Sequence, residues 1–211
     1  MPAELTQVDA YLRVMEDIKR RMQVAGAFLD GSANAIYKPT QMECAVLQMR
    51  MVAELVALAS LAANAELFSE HGKKFSRHWN LKDILKDIER INPGYYPRPF
   101  RSKEGSDGIT EHVRLDEREY LTSAELESMH GRCSDLLHAK NPFGKKADYK
   151  WYAGVAPVWL EKLVNLLNFH EIHLVGTDRM WVVQMEVDGK PAMTPFEVVR
   201  AGESGGQPGQ N

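Results

Sequence analysis

Thr40 to Phe68 reads TQMECAVLQMRMVAELVALASLAANAELF, with no glycine and no proline in the run. Thr40 followed by Glu43 has the spacing of a capping box, so the stretch opens as a helix should. Its apolar residues (Met42, Val46, Leu47, Met49, Val52, Leu55, Val56, Leu58 and Leu61) nearly encircle the helix axis. A helix apolar on most sides is buried, which predicts the centre of a bundle. At 1.5 Å per residue it spans roughly 40 Å.

The flanking sequence supplies helices to surround it. From a cap at Thr6, the residues Val8, Leu12, Met15, Ile18 and Met22 recur every three or four positions, and Gly31-Ser32 closes the pattern near Leu29. Asn80 and Asp83 open a shorter helix carrying Leu81, Ile84, Leu85, Ile88 and Ile91, which Asn92-Pro93-Gly94 ends. Tyr95 to Gly108 (YYPRPFRSKEGSDG) is too rich in proline and glycine for regular structure and reads as a loop. Thr122 with Glu125 repeats the capping-box spacing and starts a helix running to Asn141-Pro142. Pro157 suits the first turn of a last helix, VWLEKLVNLLNFH.

Beyond it the pattern changes. Met180 to Val187 is rich in Val, Trp and Met, Asp188-Gly189 is a two-residue hairpin turn, and Lys190 to Val199 can return. The expected fold is mainly α: a bundle of four to five helices over residues 1–175, with a small C-terminal β-hairpin over 176–200. Residues 201–211 (AGESGGQPGQN) hold no core former and read as a disordered tail.

Composition bounds the function. The 211 residues suit one domain with a small appendage, and 44% apolar content supports a core at that size. A formal charge of -3 excludes a globally basic nucleic-acid coat but leaves room for a local basic patch. No uninterrupted apolar run reaches the ~18 residues of a membrane span. The opening MPAELTQVDAYLR lacks the apolar stretch of a secretory signal. Two cysteines make no disulfide framework, so a cytoplasmic, reducing setting and no membrane partner are expected.

The helix from Ser123 to Lys140 carries the first candidate site. Leu126, Met129, Cys133, Leu136 and Leu137 form a stripe facing the bundle, and Arg132, Asp135 and His138 form a polar line directed away from it. The segment Arg132-Cys-Ser-Asp-Leu-Leu-His138 resembles the arginine–histidine motif of the HEPN superfamily, helical-bundle proteins many of which are metal-independent ribonucleases. That resemblance implies cleavage through the ribose 2′-hydroxyl, with His138 as acid or base, Arg132 on the phosphate and Asp135 orienting either one. It also implies a homodimer with the site at its interface, a toxin or defence role, an antitoxin protein as partner, and no metal or cofactor. Without the resemblance, the same three residues read as an exposed salt-bridge line on a non-catalytic interaction module.

Directly after His138, Lys140, Lys145, Lys146 and Lys150 crowd together with Phe143, Tyr149, Trp151 and Tyr152. Lysines neutralise phosphates and flat rings stack on unpaired bases, which is the chemistry of RNA binding with or without cleavage. The bland alternative is a solvated loop pinned to the bundle by its aromatics. In the central helix, Glu43, Arg50 and Glu54 lie along one side. Charges in so apolar a helix need partners. They read either as support for the Arg132/His138 site or as an internal ion pair. His170-Glu-Ile-His173 offers only two nitrogens and reads as a pair at a helix end, while Cys44 and Cys133 read as small packing groups. No Walker or G-x-G-x-x-G loop and no serine elbow is present.

Overall fold

The computed structural model describes residues 6–64, 81–104 and 110–197. Helix α1 spans Gln7–Asp30, capped by the Thr6 side chain on the Asp9 amide and closed by Gly31 in the left-handed conformation. Helix α2 spans Lys38–Ala63. It begins at Tyr37 with Pro39 in its first turn, so Thr40 and Glu43 lie inside the helix and do not cap it. The expected extension to Phe68 lies outside the described residues. The two helices pack antiparallel, Arg21 bonding Gln48 and Gln41 bonding the Phe28 carbonyl. Helix α3 is Leu81–Ile91, closed by Asn92-Pro93-Gly94 as expected.

Helix α4 is Ser123–Leu137, with both halves of the Thr122/Glu125 capping box formed. It stops earlier than expected, because His138 already has extended backbone (φ -74, ψ 135). Helix α5 is Tyr149–Leu167, capped by Asp148. The last helix therefore starts two turns before Pro157, and that proline sits within it, where it removes one rung of the hydrogen-bond ladder.

The β part is larger than a hairpin, which corrects the fold expectation. Strands β1 (Arg98–Glu104), β2 (Thr110–Arg114), β3 (Phe169–His173), β4 (Arg179–Val187) and β5 (Lys190–Glu197) form one antiparallel sheet in the order β2-β1-β3-β4-β5. The β4–β5 hairpin turns at Asp188-Gly189, both at positive φ, as expected. β1 comes from the stretch Tyr95 to Gly108 that read as a loop, β2 from the residues just after it that carried no reading, and β3 from the stretch that read as the end of the last helix. β1 pairs with β3 only at Arg98↔Glu171 and Pro99↔His170, at its very start, where a proline that cannot donate to a ladder is tolerated. The division into a bundle over 1–175 and an appendage thus does not separate helices from sheet. The tail over 201–211 lies outside the described residues.

One face of the sheet joins the helical core. Ile172, Trp181, Val183 and Met185 are buried with Tyr11, Met15 and Ile18 of α1, Met49 and Val52 of α2, Met129 and Cys133 of α4, and Leu163 and Leu166 of α5. The Tyr11 and Trp181 rings meet edge to face at 5.6 Å. Helix α2 is long and apolar enough to cross a bilayer, yet half of that stretch is buried inside the fold. Its far side is not covered by other described residues: Leu47 and Leu58 stay 40% and 46% exposed.

Candidate nucleic-acid interface

The end of α4, the start of α5 and the loop between them enclose an open cleft of about 390 Å³. Arg132, Lys140, Lys145 and Lys146 line it against two carboxylates, Asp135 and Asp148, so the cations exceed the acids by two. Its apolar wall is Trp151 and Tyr152. Local chemistry builds the corner: Asn141 accepts from the amides of Phe143 and Gly144 to make a tight turn, and the Asp148 carboxylate accepts from the Trp151 amide to start α5. The Tyr152 hydroxyl donates to the Arg132 carbonyl at 2.7 Å, tying the two helices together across the cleft. Lys140 donates to the Asp135 carbonyl, which folds the loop back against α4.

The arginine and the tryptophan meet on the lining of the cleft. The Arg132 guanidinium carbon sits 5.7 Å from the Trp151 ring centre, within cation–π range. Trp151 is braced by Tyr152 and Trp159 in edge contacts at 4.8 and 5.6 Å, yet stays 42% exposed. Phe143, by contrast, is almost wholly exposed and pins nothing.

Of the residues singled out in the sequence, Arg132, Asp135, Lys140, Lys145, Lys146 and Trp151 come together here, whereas His138 and Lys150 do not line the cleft. His138 is exposed beyond the last turn of α4, off the helical line that placed it beside Arg132. Glu43, Arg50 and Glu54 lie elsewhere. Glu43 accepts from the Tyr149 hydroxyl, and that bond pushes the phenol up to about 12, with burial adding to it. Arg50 Nε bonds Glu54 Oε1 at 3.2 Å, the i, i+4 pair that the spacing allowed, though half-buried rather than internal.

The same Glu54 oxygen takes His130 Nε2 at 3.0 Å, a partner that was not singled out in the sequence. A signal was present: Leu126, His130, Cys133 and Leu137 follow one helical face, so His130 interrupts an apolar stripe and needs a polar partner. His130 and Arg132 are two positions apart, ~200° around the helix, which puts them on different sides of α4. Burial raises the Cys133 thiol to about 12, consistent with a packing role.

His170 and His173 sit on β3, not at a helix end, and alternate to opposite faces. His170 is fully buried, its Nδ1 donating to the Leu167 carbonyl at 2.7 Å and its Nε2 accepting from the Tyr11 hydroxyl at 2.8 Å. Burial drives its pKa down to about 4 despite the Leu167 bond. Outward, the buried Glu171 carboxylate receives Arg114 at 2.5 Å and His173 at 3.1 Å, with Arg98 at 4.0 Å. Burial alone would raise the Glu171 pKa, but the Arg114 and His173 bonds outweigh it and hold the carboxyl below its usual range. Among the described residues, no three His, Cys, Asp or Glu side chains converge as a metal site would need.

No protein-family model, no curated protein and no solved structure matches this chain. The functional reading therefore rests on the cleft itself.

Proposed function

We propose that the protein binds single-stranded RNA in the α4–α5 cleft and does not cut it. The observation that carries this is the exposed Trp151 indole held under Arg132 beside Lys140, Lys145 and Lys146. A braced ring offers a stacking surface to an unpaired base, and the cations around it take the flanking phosphates. The overall charge of -3 agrees with a local footprint rather than a polyanion coat. HEPN-type cleavage would place an imidazole beside the phosphate held by Arg132, and His138 lies outside the cleft. The two free cysteines suit a reducing, cytoplasmic setting.

The test is a titration of fluorescein-labelled U12 and A12 followed by anisotropy, with gel analysis of the same mixtures in EDTA. The expected result is saturable binding, intact RNA, and loss of affinity in Trp151→Ala of roughly 1–3 kcal/mol, the value of one stacked base. No binding to either oligonucleotide overturns the proposal. RNA cut in EDTA, with cutting lost in His138→Ala, replaces it with the metal-independent nuclease.

A further inference from the structure

A second concavity is unrelated to the basic cleft. It lies where the last turns of α5 pass the ends of β1 and β4 and measures about 580 Å³. Phe100 and Phe169 line its base, packed at 4.0 Å between ring centres. Around them stand Asn165, Asn168, Gln184 and Glu161, contributed by α5, the residue that follows it, and β4. The Asn168 amide, the Gln184 amide and the Glu161 carboxylate make no side-chain hydrogen bond or ion pair with any described residue. Asn165 spends one N–H on the Glu119 carbonyl at 2.7 Å and keeps its oxygen. Uncommitted donors and acceptors from separate elements thus meet over one aromatic base.

The charges narrow the ligand. Arg101 is paired with Glu119, and Glu186 with Lys19 at 2.5 Å, so four of the charged groups in or beside the cleft cancel in pairs. Glu161 is left without a cation among the described residues. A phosphate or carboxylate would meet that carboxylate with nothing to hold it, and a polycation would find one unpaired carboxylate, too few to balance its charge. A carboxamide both donates and accepts, which matches a hydroxyl group that does the same. An aromatic base under convergent polar groups is a common plan for a small-molecule site.

We propose that this cleft binds a neutral, hydroxyl-rich ligand of the saccharide class, through Asn165, Asn168, Gln184 and Glu161 over the Phe100–Phe169 pair. The site is independent of the RNA-binding reading, since none of these residues lines the basic cleft.

Side-chain amide signals of the uniformly 15N-labelled full chain report on it directly. Glucose, galactose, N-acetylglucosamine and maltotriose are titrated against the protein, with glucose 6-phosphate and spermidine in parallel. At least one neutral saccharide is expected to shift the Asn165, Asn168 and Gln184 side-chain signals saturably. The double variant Asn168→Ala/Gln184→Ala, whose two sites are exposed, is expected to weaken that binding at least about tenfold, the scale of two lost hydrogen bonds. The backbone spectrum of the variant reports that it is folded, and its RNA binding should match the parent. The proposal is overturned if no neutral saccharide moves these signals, or if binding is equally strong in the variant. It is also overturned if the phosphorylated sugar or spermidine saturates the site in preference to every neutral sugar.

Discussion

Salt dependence gives the basic cleft its most demanding test, because it counts phosphate contacts rather than total affinity. Four cations line the cleft: Arg132, Lys140, Lys145 and Lys146. Each phosphate neutralised on a single strand contributes about -0.7 to the slope of log K against log salt, so four contacts predict a slope of about -2.8. Raising KCl from ~50 to ~200 mM should then weaken binding of U12 by about 50-fold. Lys145→Ala/Lys146→Ala removes two contacts, halves the slope to about -1.4, and leaves only about a 7-fold loss over the same range. Both lysines are exposed and neither makes a side-chain bond to a described residue, so the fold should be unaffected. Trp151→Ala acts differently: removing a stacking surface lowers affinity at every salt concentration and leaves the slope unchanged. The assay is anisotropy across a KCl series for the parent and both variants. If the double lysine variant keeps the parental slope, the RNA does not lie in this cleft, whatever its affinity.

Other consequences follow from the titrating groups. His170 is held neutral in the fold, its pKa down from an ordinary value near 6.5 to about 4. A depressed histidine contributes stability that is present above the unfolded pKa and is lost as pH falls from there towards the folded one. At ~1.4 kcal/mol per pH unit, about 3 kcal/mol should disappear between pH ~6.5 and ~4. Urea melts should show this for the parent and a flatter profile for His170→Gln; equal profiles would remove the buried imidazole as the cause. Glu171 has the opposite chemistry and the same direction: its lowered pKa gives stability above the unfolded carboxylate range, lost as pH falls through the folded one. Glu171→Gln should cost about 1–3 kcal/mol at neutral pH, and the gap to the parent should close in acid, where the parent carboxylate is also neutral. In the native protein at pH ~8, iodoacetamide should label half-buried Cys44 and spare Cys133, whose buried thiol is raised to about 12. Labelling Cys133 as fast as Cys44, read by peptide mass, would show that α4 opens readily.

What could be read from the sequence divides by the range of the interactions involved. The Thr6 and Thr122 caps and the Asp188-Gly189 turn are decided within a few residues, and all three stand in the structure as the sequence implied. The lysine–aromatic cluster is also local, because Arg132 to Trp151 spans one helix end, one turn and one helix start. Strands β1 and β2 were hidden for the reverse reason. Proline and glycine around Phe100 remove local support, and the strands exist through pairing with each other and with β3, 73 residues on at Arg98↔Glu171. β3 was hidden by its neighbour, since the apolar period of α5 runs on through Phe169 and Ile172 in sequence but changes to strand alternation in space. His138 shows how small an error decides a site: ending α4 at Leu137 rather than three residues later moves it from the polar line to an exposed corner. His130 shows the converse. Its partner Glu54 is 76 residues away, and only the packing of α4 on α2 makes a charge in an apolar helix and an interrupted apolar stripe into one bonded pair. A motif defined by spacing along one helix is therefore sensitive to where that helix ends, whereas a cleft closed by the Tyr152–Arg132 bond and the Asp148 cap is set by contacts that do not depend on it. That difference is the reason for placing RNA on Arg132, Trp151 and the lysines, and not on Arg132 and His138.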